Sequence, residues 1–119
     1  MYSINKIYEP KSLQEALEVY NDKPNLVIIA GGTDVLIKLR AGKLKDIELL
    51  SINNLKELNK ITYEKDGTII IGAMTTFTDI FRSEIINKYI PILAEASVSM
   101  GGPQIRNTAT IGGNLCNGA

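Results

Sequence analysis

Two double-glycine segments constrain the fold of this chain most, because glycine interrupts regular elements and allows close backbone approach. They are Ala30-Gly31-Gly32-Thr33-Asp34 and Thr110-Ile111-Gly112-Gly113-Asn114, and each follows or interrupts an apolar run. Two such segments, far apart in sequence, could close on the two phosphates of one dinucleotide. Neither matches G-x-G-x-x-G or G-x-x-x-x-G-K-[ST], so a Rossmann or Walker site is not supported.

The composition excludes several classes of function. The 119 residues carry 13 cationic and 13 anionic side chains with no basic-aromatic stripe, which disfavours nucleic-acid binding. Cys116 is the only cysteine and histidine is absent, so the chain itself supplies no disulfide, iron–sulfur cluster, zinc site or histidine-based triad. No signal peptide or membrane-length apolar run is present, which predicts a cytoplasmic protein that does not enter a membrane. The stop at Ala119, straight after the second glycine segment, predicts an interrupted chain.

Local signals in the first half predict a mixture of helices and strands. Ser12-Leu13-Gln14-Glu15 is a capping box that begins a helix, and the segment ending in Pro24 closes it. The apolar run 26–30 predicts a buried strand. A second short helix is expected after it, capped by Thr33 and ended by Gly42.

The second half continues this mixture. Its predicted elements are a strand at 47–52, a helical turn at 54–59, a hairpin of 61–64 and 68–72 around Asp66-Gly67, a helix at 76–81, and a helix from Pro91 to Gly101. The remainder, 104–119, is predicted to be loop and short extended pieces. The expected fold class is therefore α+β, with elements interleaved irregularly rather than as strict βαβ units.

The first glycine segment has two interpretations. The N–H groups at the start of the following helix would point at an anion, and the helix dipole would add attraction. The Asp34 carboxylate would repel phosphate and is expected to point away. An ordinary strand-to-helix turn explains the same residues, and on this segment alone that alternative is favoured.

The second glycine segment lies in a polar tail, where ligand binding and a structureless loop are equally open. Arg106 is interpreted as a structural salt-bridge partner rather than a phosphate ligand. Cys116 is interpreted as a small packed residue rather than a reactive thiol. The basic run from Lys38 to Lys45 is interpreted as a solvated face, with a docking patch for a partner subunit as the alternative.

Several stretches together resemble one flavoprotein family. They are Tyr8–Leu17, Ile28–Leu36, Ile71–Ala73 and Gln104–Asn114. In this order and spacing they resemble the FAD-binding (medium) subunit of molybdenum hydroxylases of the xanthine dehydrogenase and carbon monoxide dehydrogenase type. The resemblance implies the two-subdomain FAD-binding fold of the vanillyl-alcohol-oxidase/PCMH type, truncated here. A first subdomain would cover roughly 1–55, a second would begin over 56–119, and the C-terminal remainder would be absent.

The resemblance also implies a cofactor site made of both glycine segments and a corner beside the flavin ring. The implied FAD-binding residues are Ile28, Ile29, Ala30, Gly31, Gly32, Thr33, Asp34, Val35, Met100, Gly101, Thr110, Ile111, Gly112, Gly113, Asn114 and Cys116. Backbone N–H groups would contact phosphate, and the side chains of Thr110 and Asn114 would hydrogen-bond the cofactor. No side chain is given a catalytic role, because the flavin performs the redox chemistry.

The implied function is electron transfer within a larger complex. FAD would pass electrons from the [2Fe-2S] clusters of a partner subunit to NAD or another acceptor, beside a molybdenum-cofactor subunit. Two alternatives stay open: a truncated fragment or assembly module that does not retain FAD, and another PCMH-type flavoprotein. The run Gln104–Asn107 before the second glycine segment favours the hydroxylase subunit.

Overall fold

Strands and helices alternate through the first half of the chain in the computed structural model, which describes residues 4–23 and 25–118. The elements are β1 (Ile4–Tyr8), α1 (Leu13–Asp22), β2 (Val27–Ile29), α2 (Val35–Arg40) and β3 (Ile47–Ser51). Both strand pairings are parallel, in the order β1-β3-β2. The expected irregular interleaving is not seen in this half, where strand and helix alternate regularly. The parallel neighbours β2 and β3 are joined through α2, and the chain passes from β1 to its neighbour β3 through α1, β2 and α2.

The described chain divides into two compact units, Met1–Leu55 and Lys56–Ala119. In the first unit, β3 is the central strand, and Leu49 and Leu50 are each only 2% exposed. The predicted helix α1 is confirmed, with the Glu15 N–H donating to Ser12 Oγ at 3.1 Å. Gly42 ends α2 as predicted, at a φ of +71°, with its N–H donating to the Leu39 carbonyl.

The second unit begins with a short 3₁₀ helix (Lys56–Leu58) and an antiparallel hairpin of β4 (Ile61–Tyr63) and β5 (Ile69–Ile71). The hairpin is the one that Asp66-Gly67 predicts: Gly67 has a φ of +90°, and Asp66 Oδ1 accepts the Thr68 N–H. The five helices after it are α3 (Phe77–Arg82), α4 (Glu84–Tyr89), α5 (Pro91–Val98), α6 (Pro103–Thr108) and α7 (Ile111–Asn117). Phe77, Ile80, Ile86 and Ala94 form the buried core of this unit.

The prediction of loop and extended pieces over 104–119 is wrong, because α6 and α7 occupy most of that stretch. Each glycine in a helix is disfavoured by about 1 kcal/mol relative to alanine. Gly112 and Gly113 therefore argue against a helix when only local sequence is considered. Anchoring to distant residues overrides that propensity. The N–H groups of Ile111 and Gly112 donate to the carbonyls of Thr75 and Ala73 at 3.0 and 2.9 Å.

Two smaller differences concern the neighbouring helices. Helix α5 ends at Val98 rather than at Gly101, because the backbone tightens there: the N–H groups of Ser99 and Met100 donate to carbonyls three residues earlier, those of Ala96 and Ser97. Helix α4, which follows the Ser83 cap, had no predicted counterpart. In the part of the chain that the structure describes, no helix is both long and apolar enough to cross a bilayer.

Candidate functional site

The first glycine segment forms the turn between β2 and α2, and glycine is required at one of its positions. Gly32 has a φ of +80°, a left-handed conformation that residues with a Cβ rarely adopt. A Cβ there would also lie 3.2 Å from Leu36 Cδ1 and 3.4 Å from Ile29 Cδ1. The buried backbone of Gly32 therefore permits a turn that another residue would strain and crowd.

Most backbone N–H groups of this turn have no acceptor among the residues that the structure describes. The Leu36 N–H donates to the Gly32 carbonyl at 3.1 Å and so begins α2. For the N–H groups of Ala30, Gly31, Gly32, Thr33 and Val35, residues 4–23 and 25–118 supply no hydrogen-bond acceptor. Backbone N–H groups without a partner require an acceptor, and several of them within one turn make that turn a candidate anion-binding site.

The start of α2 differs from the expected one in its cap. Asp34, not Thr33, occupies the N-cap position, and no side-chain hydrogen bond caps the helix, so the predicted Thr33 cap is wrong. The Asp34 carboxylate instead forms an ion pair with Lys38, with Oδ2 and Nζ 2.8 Å apart. This pairing one turn along the helix offsets part of the negative charge that would repel an anion at the turn.

The second glycine segment is the first turn of α7, and its N–H groups are already used. Thr110 is 3% exposed, and its Oγ1 accepts the Gly113 N–H at 3.1 Å. The Asn114 N–H donates to the Thr110 carbonyl, while those of Ile111 and Gly112 bind Thr75 and Ala73. The two segments therefore differ in chemistry: the first has open donors, and the second has its donors paired within the chain.

Gly112 and Gly113 also have different surroundings. A Cβ on Gly112 would lie 2.7 Å from the Ala73 carbonyl oxygen, so Gly112 permits the close packing of α7 on Ala73. A Cβ on Gly113 would meet only Thr110 Oγ1, at 3.1 Å, and Gly113 is exposed. Gly113 is thus the exposed member of this segment, and Asn114 beside it is half-buried.

The corner at Met100 and Gly101, which the family resemblance implies beside the flavin ring, connects α5 to α6. Gly101 has a φ of +56°, and one guanidinium nitrogen, Arg106 Nη1, donates to the carbonyls of Val98 and Gly101 at 3.0 and 2.7 Å. Arg106 therefore has a structural role, as interpreted from the sequence. Its partners are carbonyl oxygens rather than the expected carboxylate, because the helix ends around the corner leave carbonyls unpaired.

Cys116 lies exposed on the last turn of α7, so its interpretation as a packed residue is wrong. Helix α7 is anchored through its first turn, and Leu115 beside Cys116 is 73% exposed. The predicted residues therefore fall into two groups. Ile28 to Val35 lie together in the first unit, whereas Met100, Gly101, 110–114 and Cys116 lie in the second.

Sequence reasoning missed the residues that anchor α7. The carbonyls of Ala73 and Thr75 anchor α7, and Gly72 precedes them in a tight turn where a Cβ would lie 2.1 Å from the Leu58 carbonyl oxygen. The Ile71–Ala73 triplet was the available signal, since a glycine directly after a β-branched run marks close backbone approach.

Comparisons with known proteins identify the family to which this chain is similar. The family described as "FAD binding domain in molybdopterin dehydrogenase" matches residues 2–119. The xanthine dehydrogenase FAD-binding subunit of Escherichia coli O157:H7 is 41% identical over 119 residues, which are 100% of this chain and 41% of that protein. The nicotinate dehydrogenase FAD-subunit of Eubacterium barkeri is 43% identical over 113 residues, 92% of this chain and 38% of that protein.

A solved structure agrees with the sequence comparisons. The carbon monoxide dehydrogenase of Hydrogenophaga pseudoflava superposes with a TM-score of 0.92 at 33% identity, covering 99% of this chain and 41% of that chain. The resemblance stated from the sequence motifs is thereby confirmed. The chain spans about two fifths of the length of the relatives that it matches.

Proposed function

Because this chain belongs to the family of FAD-binding domains in molybdopterin dehydrogenases, we propose that it contributes the flavin-binding part of a molybdenum hydroxylase. The pyrophosphate of FAD binds at residues 30–35. The flavin would supply the redox chemistry that links the [2Fe-2S] subunit to NAD or another acceptor. A molybdenum-cofactor subunit completes the proposed complex.

The observation that carries the proposal is the set of open N–H groups between β2 and α2. A pyrophosphate offers several anionic oxygens, and the amides of Ala30, Gly31, Gly32, Thr33 and Val35 have no competing acceptor among the residues the structure describes. Small residues at positions 30–32 let those oxygens approach the backbone. The Asp34–Lys38 ion pair lowers the electrostatic penalty of a nearby carboxylate.

The second unit contributes differently in this proposal. Its glycine segment has paired amides, so the contacts with FAD come from the Asn114 side chain and the exposed backbone of Gly113 rather than from a second set of N–H donors. Thr110, Ile111 and Gly112 hold that surface in position. Met100 and Gly101 lie beside the flavin ring, and Cys116 lies near the cofactor, as the family resemblance implies.

Titration of the purified chain with FAD, followed by flavin fluorescence, tests the proposal. The informative variant is Gly32→Ala, and Gly42→Ala is its matched control. Both glycines flank α2 with positive φ, +80° and +71°, so either alanine introduces backbone strain of about 1–2 kcal/mol. Only Gly32 belongs to the proposed phosphate turn.

We expect Gly32→Ala to weaken FAD binding at least about tenfold, the factor equivalent to one lost charge-assisted hydrogen bond. Gly42→Ala should bind FAD like the wild type at a temperature where both variants are folded. Equal weakening by both variants would assign the effect to loss of α2 rather than to phosphate contact. A wild-type chain that binds no FAD would favour the alternative of a module without cofactor.

A further inference from the structure

The corner between α5 and α6 is held from both sides by one side chain. Arg106 Nη1 donates to the Val98 carbonyl at the end of α5 and to the Gly101 carbonyl at the turn, at 3.0 and 2.7 Å. The backbone N–H of Arg106 also donates to the Gly102 carbonyl at 3.0 Å. The orientation of the peptide groups around Met100 and Gly101 is thus coupled to the position of one guanidinium.

This guanidinium is fixed by these carbonyls and not by a carboxylate. Arg106 Nε is buried, and no acceptor for it exists in the described part of the chain. The guanidinium carbon lies 5.9 Å from the centroid of the Phe81 ring. The Arg106 side chain thus keeps Nη1 in contact with both carbonyls, although its buried Nε has no partner among the described residues.

We infer that Arg106 is a positioning residue of the flavin site, which sets the backbone orientation of the Met100–Gly101 corner. The inference rests on the proposed function, in which that corner lies beside the flavin ring. Gly101 has a left-handed φ of +56°, which is one of several conformations open to glycine, so the contact with Arg106 selects one orientation of its carbonyl. Loss of the clamp changes the dipoles facing the ring and therefore the properties of bound FAD.

Arg82 provides a matched control for this inference. Its guanidinium carbon lies 5.8 Å from the centroid of the same Phe81 ring. Arg82 is exposed and makes no hydrogen bond to the corner carbonyls within the described residues. Arg82→Gln therefore removes an equal charge from the same neighbourhood and leaves the clamp intact.

Hydrogen exchange of the Met100 to Gly102 amides in the FAD-free chain tests the clamp itself. We expect Arg106→Gln to accelerate this exchange at least about tenfold, as loss of a charge-assisted hydrogen bond predicts. Arg82→Gln should leave it unchanged. Arg106→Lys should restore much of the protection, because a single ammonium can replace the single nitrogen that contacts both carbonyls. Unchanged exchange in Arg106→Gln would overturn the inference.

The reduction potential and visible absorption spectrum of bound FAD test the effect on the flavin. Arg106→Gln should shift both relative to the wild type, with Arg106→Lys returning them toward wild-type values and Arg82→Gln having no effect. Faster exchange without any change in the flavin would show that Arg106 has only a structural role. That result would overturn this inference and leave the proposed function standing. Failure of the wild type to bind FAD would overturn the proposed function, and with it the flavin role of Arg106.

Discussion

The replacement of Gly112 by alanine tests how α7 is held in the second unit. The added Cβ would lie 2.7 Å from the Ala73 carbonyl oxygen and 2.8 Å from Ala73 Cβ, where ordinary contact begins at 3.4 Å. Because the nearest atoms belong to the backbone and to a Cβ, no flexible side chain can move aside. Helix α7 must therefore retreat from Ala73.

The magnitude follows from the contacts that this retreat disturbs. Two hydrogen bonds lengthen, from Gly112 to Ala73 and from Ile111 to Thr75, and each contributes about 0.5–1.5 kcal/mol. Crowding adds about 1–3 kcal/mol, while the higher helix propensity of alanine recovers about 1 kcal/mol. We expect a net loss of about 1–5 kcal/mol in the free energy of unfolding.

Gly113→Ala is the matched variant, because it gains the same propensity on the same helix turn. Its Cβ would approach only Thr110 Oγ1, at 3.1 Å, so its stability should stay within about 1 kcal/mol of the wild type. Urea denaturation followed by circular dichroism measures both. Equal stability of the Gly112 and Gly113 variants would refute the anchoring of α7 on Ala73.

Two further predictions concern a cap and a turn. Thr110→Val should destabilise the chain by about 0.5–2 kcal/mol and weaken FAD binding. Thr76→Val, which removes the equivalent cap of α3, should cause a similar loss of stability and leave FAD binding unchanged. Thermal melts and FAD titrations measure the two effects. The hydrogen bond from the Thr68 N–H lowers the pKa of Asp66 from its usual 3.8, so the ionised carboxylate stabilises the hairpin above that pH. The stability difference between wild type and Asp66→Ala should therefore be full at neutral pH and shrink as the pH falls below 3.8; a constant difference across a pH series of urea titrations would contradict this.

Local signals were sufficient for the elements whose determinants are close in sequence. The Ser12–Glu15 capping box and the Asp66-Gly67 turn each place their interacting groups within four residues, and both predictions are confirmed. Helix α7 could not be predicted in this way. Its first turn depends on carbonyls of Ala73 and Thr75, more than thirty residues earlier, and glycine propensity points against a helix.

The candidate site was predictable only in part for a related physical reason. Paired glycines indicate close backbone approach, and the left-handed Gly32 agrees with that indication. Whether the neighbouring amides are open or paired depends on tertiary contacts that sequence spacing does not encode. The similar glycine motifs at 30–34 and 110–114 consequently have different donor chemistry, open in the first and paired within the chain in the second.

The strand order β1-β3-β2 also has a consequence for folding. The last strand of the first unit along the chain is the central one, and it supplies the hydrogen-bonding partner of both others, with Leu50 aligned between Tyr8 and Ile28. During synthesis, β1 and β2 therefore remain without that partner until residues 47–51 have left the ribosome. The sheet then closes two long loops at nearly the same time, which makes its formation a late and slow step of high contact order.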